Sequence, residues 1–290
     1  MKNKIFFCIC TKNRRLKLFK NLQSILRLKN FQKYDIEVIL VSNDRSTYND
    51  LINKFKNSIK INLYKEIKSG VVFPRNRVLK ILRKKNFDYA AFIDDDCILA
   101  SNWLNSMIAE IKKNADIITG PQFSKSKNIY SKIMERHLNH RSKVKWASTN
   151  NVFFKSSVIK NNINFEKKLN NIGGEDQLFF SKLLKLKKKC LWNSHAPVYE
   201  LEDKNRENFN WFFRRNLRYG ASSIIIYRLL YGTFFGNIFI LIKVINDVIK
   251  MLFNLFKFFI SKKNFFSSLM YLFRISGVLV GLCGYQIKQY

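Results

Sequence analysis

Acidic side chains are scarce in this chain. Its 290 residues carry 53 Lys and Arg against 20 Asp and Glu, a formal net charge of +33. That imbalance predicts attraction to an anionic surface: nucleic acid, acidic lipid or a phosphorylated substrate. Paired cysteines are also missing. Cys8, Cys10, Cys97, Cys190 and Cys283 form no C-x-x-C motif, which speaks against a paired-cysteine metal site and for small buried thiols in a reducing compartment. A secretory leader is not expected from the N-terminal sequence, because the apolar run Ile5–Cys10 is short and basic sequence follows it at once. Nor is there an uncharged run of spanning length in the apolar tail, where residues 229–242 reach only 14 against the ~20 a transmembrane helix needs. With 47% hydrophobic residues the chain is not disordered, and its length suits one large domain with an appendage.

What is present is an alternation. Residues 4–10 (KIFFCIC) and 36–42 (IEVILVS) read as buried strands. Between them, Leu18, Leu22, Ile25 and Leu26 have the spacing of an amphipathic helix. A strand over 60–65, a helix from Pro74 and a strand over 88–93 repeat the pattern. Further on, a strand is expected at 151–155 and a helix from Glu175. The order predicts an α/β fold with a mostly parallel sheet flanked by helices. In such sheets ligands bind beyond the carboxyl ends of the strands. Three polar clusters fall at such ends: TKNR, SNDRS and DDD (Asp94, Asp95, Asp96).

Three adjacent carboxylates repel one another and call for a positive partner. Capping a helix or lying in a solvated turn is the plain alternative. Their place after a buried strand, opposite two other polar rims, favours Mg²⁺ or Mn²⁺, which take one or two carboxylates together with substrate phosphates. A second acidic pair, Glu175 and Asp176, follows Gly173 and Gly174 at a helix start. Either the helix dipole favours acids there, or the turn presents a general base.

From Ser222 the composition shifts to Ile, Leu and Phe. Lys243, Asp247, Lys250 and Lys257 share one helical face. That polar stripe predicts a helix lying in an anionic membrane interface rather than spanning it; a pair of core helices is the alternative. The expected division is a domain over 1–220 and a membrane-associated helical tail over 221–290.

Taken in order, these stretches resemble a family 2 glycosyltransferase of GT-A fold. CICTKNR is similar to that family's first strand and nucleotide loop, with Cys10 at the usual Pro. VILVSNDRST is similar to V-V-D-D-G-S-T, with Asn43 for the first Asp and Arg45 for Gly. GVVFPRN is similar to G-x-x-x-A-R-N, FIDDDCILASNWL to the D-x-D segment with its downstream Trp103-Leu104, and GGEDQLF to the G-E-D motif. The resemblance covers about residues 4–220. It implies donor contacts from Thr11, Asn13, Arg14, Asn43 and Asp44, from Arg75 and Asn76, and from Asp94 and Asp95. It implies Asp96 as principal metal ligand with Asp94 beside it, and His195 as a weaker candidate. Asp176 is the implied base, with Glu175 next to it. Asn151, Arg214 and Arg215 are implied at the acceptor or the diphosphate. The tail LFRISGVLVGLCGYQ is similar to a segment of some bacterial exopolysaccharide glycosyltransferases. That similarity implies a lipid-linked saccharide acceptor at the cytoplasmic face of the inner membrane. The expected activity is inverting, metal-dependent transfer from a nucleotide-sugar, UDP-linked by preference. Three rivals stand beside it: a basic nucleic-acid-binding protein, a membrane scaffold on a non-catalytic transferase fold, and a nucleotidyltransferase releasing pyrophosphate. Clustered acids and an apolar tail argue against nucleic acid.

Overall fold

The computed structural model describes residues 2–288. The chain divides into two compact units. The first comprises residues up to 125, 136–167 and 179–201; the second comprises 126–135, 168–178 and 202 onward.

In the first unit, strands β1 (Lys4–Thr11), β2 (Asp35–Ser42) and β3 (Lys60–Lys65) pair in parallel, and β4 (Tyr89–Phe92) joins β1 in parallel on its other side. Helices α1 (Arg15–Leu26), α2 (Asn49–Asn53) and α3 (Val72–Leu82) make the crossovers. β1 and β2 are apolar on both faces because helices cover both, as a parallel sheet requires. Ile5, Phe7 and Ile9 face one buried cluster with Leu18, Leu22 and Ile25 of α1; Phe6 and Cys8 face the other with Val78 and Leu79 of α3.

Beyond β4 the chain adds short pieces: β5 (Cys97–Leu99), α4 (Trp103–Lys112), β6 (Ile117–Thr119) and β7 (Gln122–Ser124). β8 (Val152–Lys155) runs antiparallel between β4 and β6, and β9 (Cys190–Trp192) closes the far edge. The sheet order is β3-β2-β1-β4-β8-β6-β9, and β10 (Val198–Glu200) pairs with β5 and β7 in a separate three-stranded sheet.

In the second unit, α5 (Ile129–Ile133) packs Tyr130 against Phe212 and Phe266, at 5.1 and 5.2 Å between ring centroids. Helix α6 (Glu175–Lys185) begins here, at the Gly173–Gly174 turn. Helix α7 (Phe209–Phe256) breaks at Gly232 (φ 77°, ψ 173°), a conformation open to glycine at little cost. The chain doubles back there. Tyr231 meets Phe239 at 4.2 Å, and a Cβ at Gly236 would stand 2.9 Å from the Arg228 Cα. Helix α8 (Lys262–Leu282) is the third pass, held by Ser268 Oγ donating to the Met251 carbonyl at 3.0 Å. Residue 220, the expected boundary between domain and tail, lies inside α7.

The polar stripe of the tail faces inward at its start. Asp247 is 7% exposed, and Lys243 Nζ donates to its Oδ2 at 2.6 Å. The opposite side of 233–256 presents Phe234, Phe235, Ile245, Ile249 and Phe256 outward. Along the stripe Lys243 and Asp247 pair toward the neighbouring helices, whereas Lys250 is exposed. Among the described residues one helix, Lys262–Leu282, is long and apolar enough to cross a membrane.

Candidate active site

The first three polar turns meet. Thr11, the last residue of β1, donates its hydroxyl to Asp95 Oδ2 at 2.8 Å. Arg14, entering α1, places Nη1 3.1 Å from Asp95 Oδ1 and 2.9 Å from Asp96 Oδ2. Arg75, in the first turn of α3, puts Nη2 3.7 Å from Asp94 Oδ1. So the positive charge that three aspartates demand is supplied in part by two arginines, one at the entry to α1 and one in the first turn of α3.

The three carboxylates differ. Asp95 and Asp96 are buried, whereas the Asp94 side chain is 42% exposed. Burial raises Asp95, with Asp96 adding to the rise and Arg14 opposing it. The dense surroundings of Asp94 push it up to about 7, with Arg75 pulling the other way and Asp96 and Asp95 adding to the rise. Its open carboxylate lets a cation reach it. Burial disfavours charged Arg14, but Asp95 and Asp96 outweigh that and raise it.

Two residues that the motifs do not mark hold this turn. Asn21 donates through Nδ2 to the carbonyls of Asp94 (3.1 Å) and Cys97 (2.6 Å), and Ser24 Oγ accepts from Leu99 N at 3.2 Å. Both are polar residues on the buried face of α1, and that mismatch is the signal that could have found them. Leu201 N donates to the Asp96 carbonyl at 2.8 Å, and the charge of Glu200 at the end of β10 also acts on Asp94.

Asp44 orders the second turn. It accepts from Asn13 N (2.7 Å), Ser46 N (2.8 Å) and the Tyr48 hydroxyl (2.7 Å). Burial pushes Asp44 upward, but these donors prevail and hold it below the usual carboxylate range. Burial and the Asp44 hydrogen bond raise Tyr48 to about 12.

Other sequence-predicted residues are spent on the protein itself. Asn43 donates to the carbonyls of Glu66 and Lys68, each at 2.8 Å, and accepts from Gly70 N at 3.3 Å. Asn76 exchanges two hydrogen bonds with the Phe165 backbone. Asn151 is fully buried; it accepts from Trp103 Nε1 and donates to the carbonyls of Pro121 and Ala196. His195 is exposed and lays its ring 4.6 Å from that of His140, whose Nε2 is 3.7 Å from Glu110 Oε1.

In the second unit, Gly173 and Gly174 adopt φ of +90° and +86°. A Cβ on Gly173 would lie 3.5 Å from Arg218 Nε, and one on Gly174 2.5 Å from Ile226 Cδ1 and 3.5 Å from Ser222 Oγ. Glycine thus lets the turn rest on one stripe of α7. Glu175 is buried, while Asp176 is half-buried and accepts at Oδ1 from Gln177 N at 2.7 Å. Arg214 is exposed, and Arg215 stacks over Trp211 at 4.9 Å.

A divalent cation fits the donor set at Asp94–Asp96. Its atoms are hard oxygens and one carboxylate, that of Asp94, opens to solvent. Among the described residues no three His, Cys, Asp or Glu side chains cage a metal by themselves. Mg²⁺ and Mn²⁺ commonly complete their shell with water and substrate phosphates.

A parallel sheet with an acidic turn beyond its fourth strand, extended by mixed strands, is a GT-A-like arrangement. The model of the glycosyl transferase family 2 matches residues 6–175, and the chain belongs to that family. An uncharacterized glycosyltransferase, R363, of Acanthamoeba polyphaga mimivirus is 30% identical over 90 residues, 30% of this chain and 34% of that protein. The chain thus matches about a third of the length of that curated relative. TarS of S. aureus superposes with TM-score 0.56 at 19% identity, over 78% of this chain and 40% of TarS. The mannosyltransferase PcManGT of Pyrobaculum calidifontis, solved with GDP-Man and Mn²⁺, gives 0.65 at 11% identity, over 99% of this chain and 89% of that one. At such identities the likeness is one of fold.

Proposed function

We propose that the protein is an inverting, metal-dependent glycosyltransferase. It moves a sugar from a nucleoside diphosphate, uridine by preference, to a hydroxyl of a lipid-linked saccharide at the cytoplasmic face of a membrane. The observation that carries this reading is the meeting of Thr11, Arg14, Arg75 and Asp94–Asp96 at the carboxyl ends of parallel strands. A donor diphosphate needs such a site: fixed cations beside carboxylates that can share a metal.

Asp96 and the open carboxylate of Asp94 would hold the cation. Bound there, Mg²⁺ or Mn²⁺ supplies positive charge against the leaving diphosphate. Arg14 keeps the buried carboxylates apart and fixed, and Arg75 orients Asp94. The Asp44 turn, tied to Asn13, shapes the loop expected to face the nucleoside. Asp176 takes the proton of the acceptor hydroxyl. As the new bond from that oxygen to the anomeric carbon forms, the bond from that carbon to the diphosphate oxygen breaks. The electron pair departs with the nucleoside diphosphate, and the configuration inverts. General-base assistance of this kind contributes about 10²–10⁴-fold, and holding both reactants in line contributes further.

The test is nucleoside diphosphate release from UDP-, GDP- and dTDP-sugars with lipid extract, under Mn²⁺, Mg²⁺ or chelator. Asp96→Ala should lower the rate about a hundredfold or more, the loss seen when a charge-stabilising group is removed. Asp176→Asn should lower the rate while leaving UDP binding intact. Pyrophosphate as the product, or retained configuration, would overturn the assignment.

A further inference from the structure

The chain has three histidines, and two of them meet beyond the edge strand of the large sheet. The rings of His140 and His195 stand 4.6 Å apart between centroids, inclined at 58°. Both hang from β9, which ends at Trp192. The Trp192 carbonyl accepts from Arg141 N at 2.7 Å, and Trp192 N donates to the Ser142 carbonyl at 2.9 Å. Arg141 takes φ of +61°, a left-handed conformation that residues with a Cβ enter only when their surroundings fix it. That turn sets His140 against β9. On the other side, His195 N donates to Asn193 Oδ1 at 3.0 Å, and Asn102 Nδ2 donates to the His195 carbonyl at 3.3 Å. Each backbone is thus held on its own account before the two rings meet.

His140 has one nitrogen accounted for and one not. Nε2 faces Glu110 Oε1 at 3.7 Å. Glu110 is itself held by Arg141 at 2.9 and 3.1 Å and by Lys113 at 3.3 Å. Nδ1 is buried and meets no hydrogen-bonding partner among the described residues. A buried polar atom without a partner is costly and calls for a reason. In metal-bound histidines the nitrogen away from the metal commonly faces a carboxylate, and His140 has that disposition. The ring spacing agrees. Two imidazoles sharing one ion at about 2.0–2.1 Å per nitrogen, with right-angled to tetrahedral bonds, have ring centres about 4.5–5.2 Å apart. The observed 4.6 Å lies in that range. Ring packing alone would leave Nδ1 orphaned.

The donor type selects the ion. Imidazole suits Zn²⁺, Ni²⁺ and Cu²⁺, whereas Mg²⁺ and Mn²⁺ prefer oxygen. Among the described residues no third His, Cys, Asp or Glu completes a cage with the pair, so water fills the shell, and exposed His195 leaves room for it. Arg141 and Lys113, gathered on Glu110, oppose a dication nearby and keep the affinity modest.

We propose that His140 Nδ1 and the His195 ring form a site for a transition-metal dication, Zn²⁺ in the first place, which clasps the turn carrying His140 to the turn after β9. The site is separate from the Mg²⁺ or Mn²⁺ expected at Asp94–Asp96 and does not rest on the transferase reading.

The test uses the full chain without a histidine tag and needs no turnover. Zn²⁺ is titrated calorimetrically in excess Mg²⁺, which keeps the oxygen ligands occupied. Wild type should bind Zn²⁺, and His195→Asn and His140→Asn should each weaken that binding about tenfold or more, since losing even an orienting partner costs about 10–100-fold. His137→Asn, the third histidine, should leave it unchanged. His195 is exposed, so its variant should fold, and a melt without metal checks this. Zn²⁺ should raise the melting temperature of wild type but not that of His195→Asn. Asp96→Ala should keep the Zn²⁺ site. Failure of wild type to bind Zn²⁺ overturns the proposal and leaves two rings that merely pack. Unchanged affinity in either His140→Asn or His195→Asn also overturns it, placing the ion elsewhere, at the Cys283 thiol or the aspartates. So does loss of Zn²⁺ binding in Asp96→Ala. Intact Zn²⁺ binding by a chain that binds no nucleotide would sink the transferase reading alone.

Discussion

Arg14 shows how charge scarcity turns into structure. Two buried carboxylates share its guanidinium, so removing it would strand both; breaking one partner out of a buried pair costs about 3–5 kcal/mol. Its 29% side-chain exposure leaves room for solvent to screen part of that. Asn43 makes a complementary case. Its Nδ2 feeds two backbone carbonyls, which an aspartate could not do. Asn43→Asp should therefore destabilise the fold by about 1 kcal/mol or more, since each stranded acceptor loses its donor. A thermal melt identical to wild type would show that the amide clasp is not what the residue contributes. Glu110 gives a pH signature. Arg141 first, with Lys113, holds it down to about 2 from an ordinary 4.5, against the push of burial. Its folded value is depressed, so its contribution is full above about pH 4.5 and fades as pH falls toward about 2. Arg141→Gln should thus lower the melting temperature clearly near pH 6 and less near pH 3. An equal deficit at both would mean that the ion pair is not the cause. Because Arg141 is 53% exposed, added salt should shrink the effect as well.

At the level of elements, the crossing of α7 and α8 is the most exposed to a single change. Gly277→Ala places a Cβ 1.9 Å from a backbone carbonyl oxygen, which no rotamer can relieve. The helices must part, at a cost of about 1–3 kcal/mol for overpacking, and Arg274 must move from Asn216. The measurement is the helical melt in detergent, with Gly284→Ala as the comparison for alanine beyond the crossing; nothing lies within 4 Å of a Cβ there, though its φ of +85° adds local strain. A Gly277→Ala variant as stable as wild type would show that the crossing yields. The same scale explains what could be read in advance. β1 and β2 run eight residues each and are apolar nearly throughout, so the parallel sheet and the meeting of its polar turns were legible. β5, β6, β7, β9 and β10 have three residues each, too few for any period to show. Helix α4 was missed although Trp103, Leu104, Met107, Ile108 and Ile111 have helical spacing. The amide clasps were illegible for another reason. Asn76 bonds the Phe165 backbone 89 positions away, and backbone partners leave no mark on residue type.

Across the whole molecule, two forces are available for holding a membrane, and they can be separated. A net charge of +33 attracts an anionic leaflet over a distance that salt controls: the Debye length falls from ~10 Å at 0.1 M to ~3 Å at 1 M. The outward Phe, Ile and Leu side chains of 233–256 act only in contact, and salt leaves that contribution in place. Binding to anionic vesicles should therefore weaken between low and high salt without vanishing. Binding to neutral vesicles should be weaker from the start and nearly flat with salt. Ile245→Ser with Ile249→Ser, at positions 51% and 59% exposed, should reverse the balance. That double variant should hold anionic vesicles at low salt and release them at high salt, because roughly 1.5–3 kcal/mol is lost for each aliphatic side chain that lipid would have covered. Complete release of the wild type at high salt would mean that charge alone recruits the chain. The inward Lys243–Asp247 pair would then serve only to pin helix 233–256 to its neighbours, and the face beyond it would need another occupant.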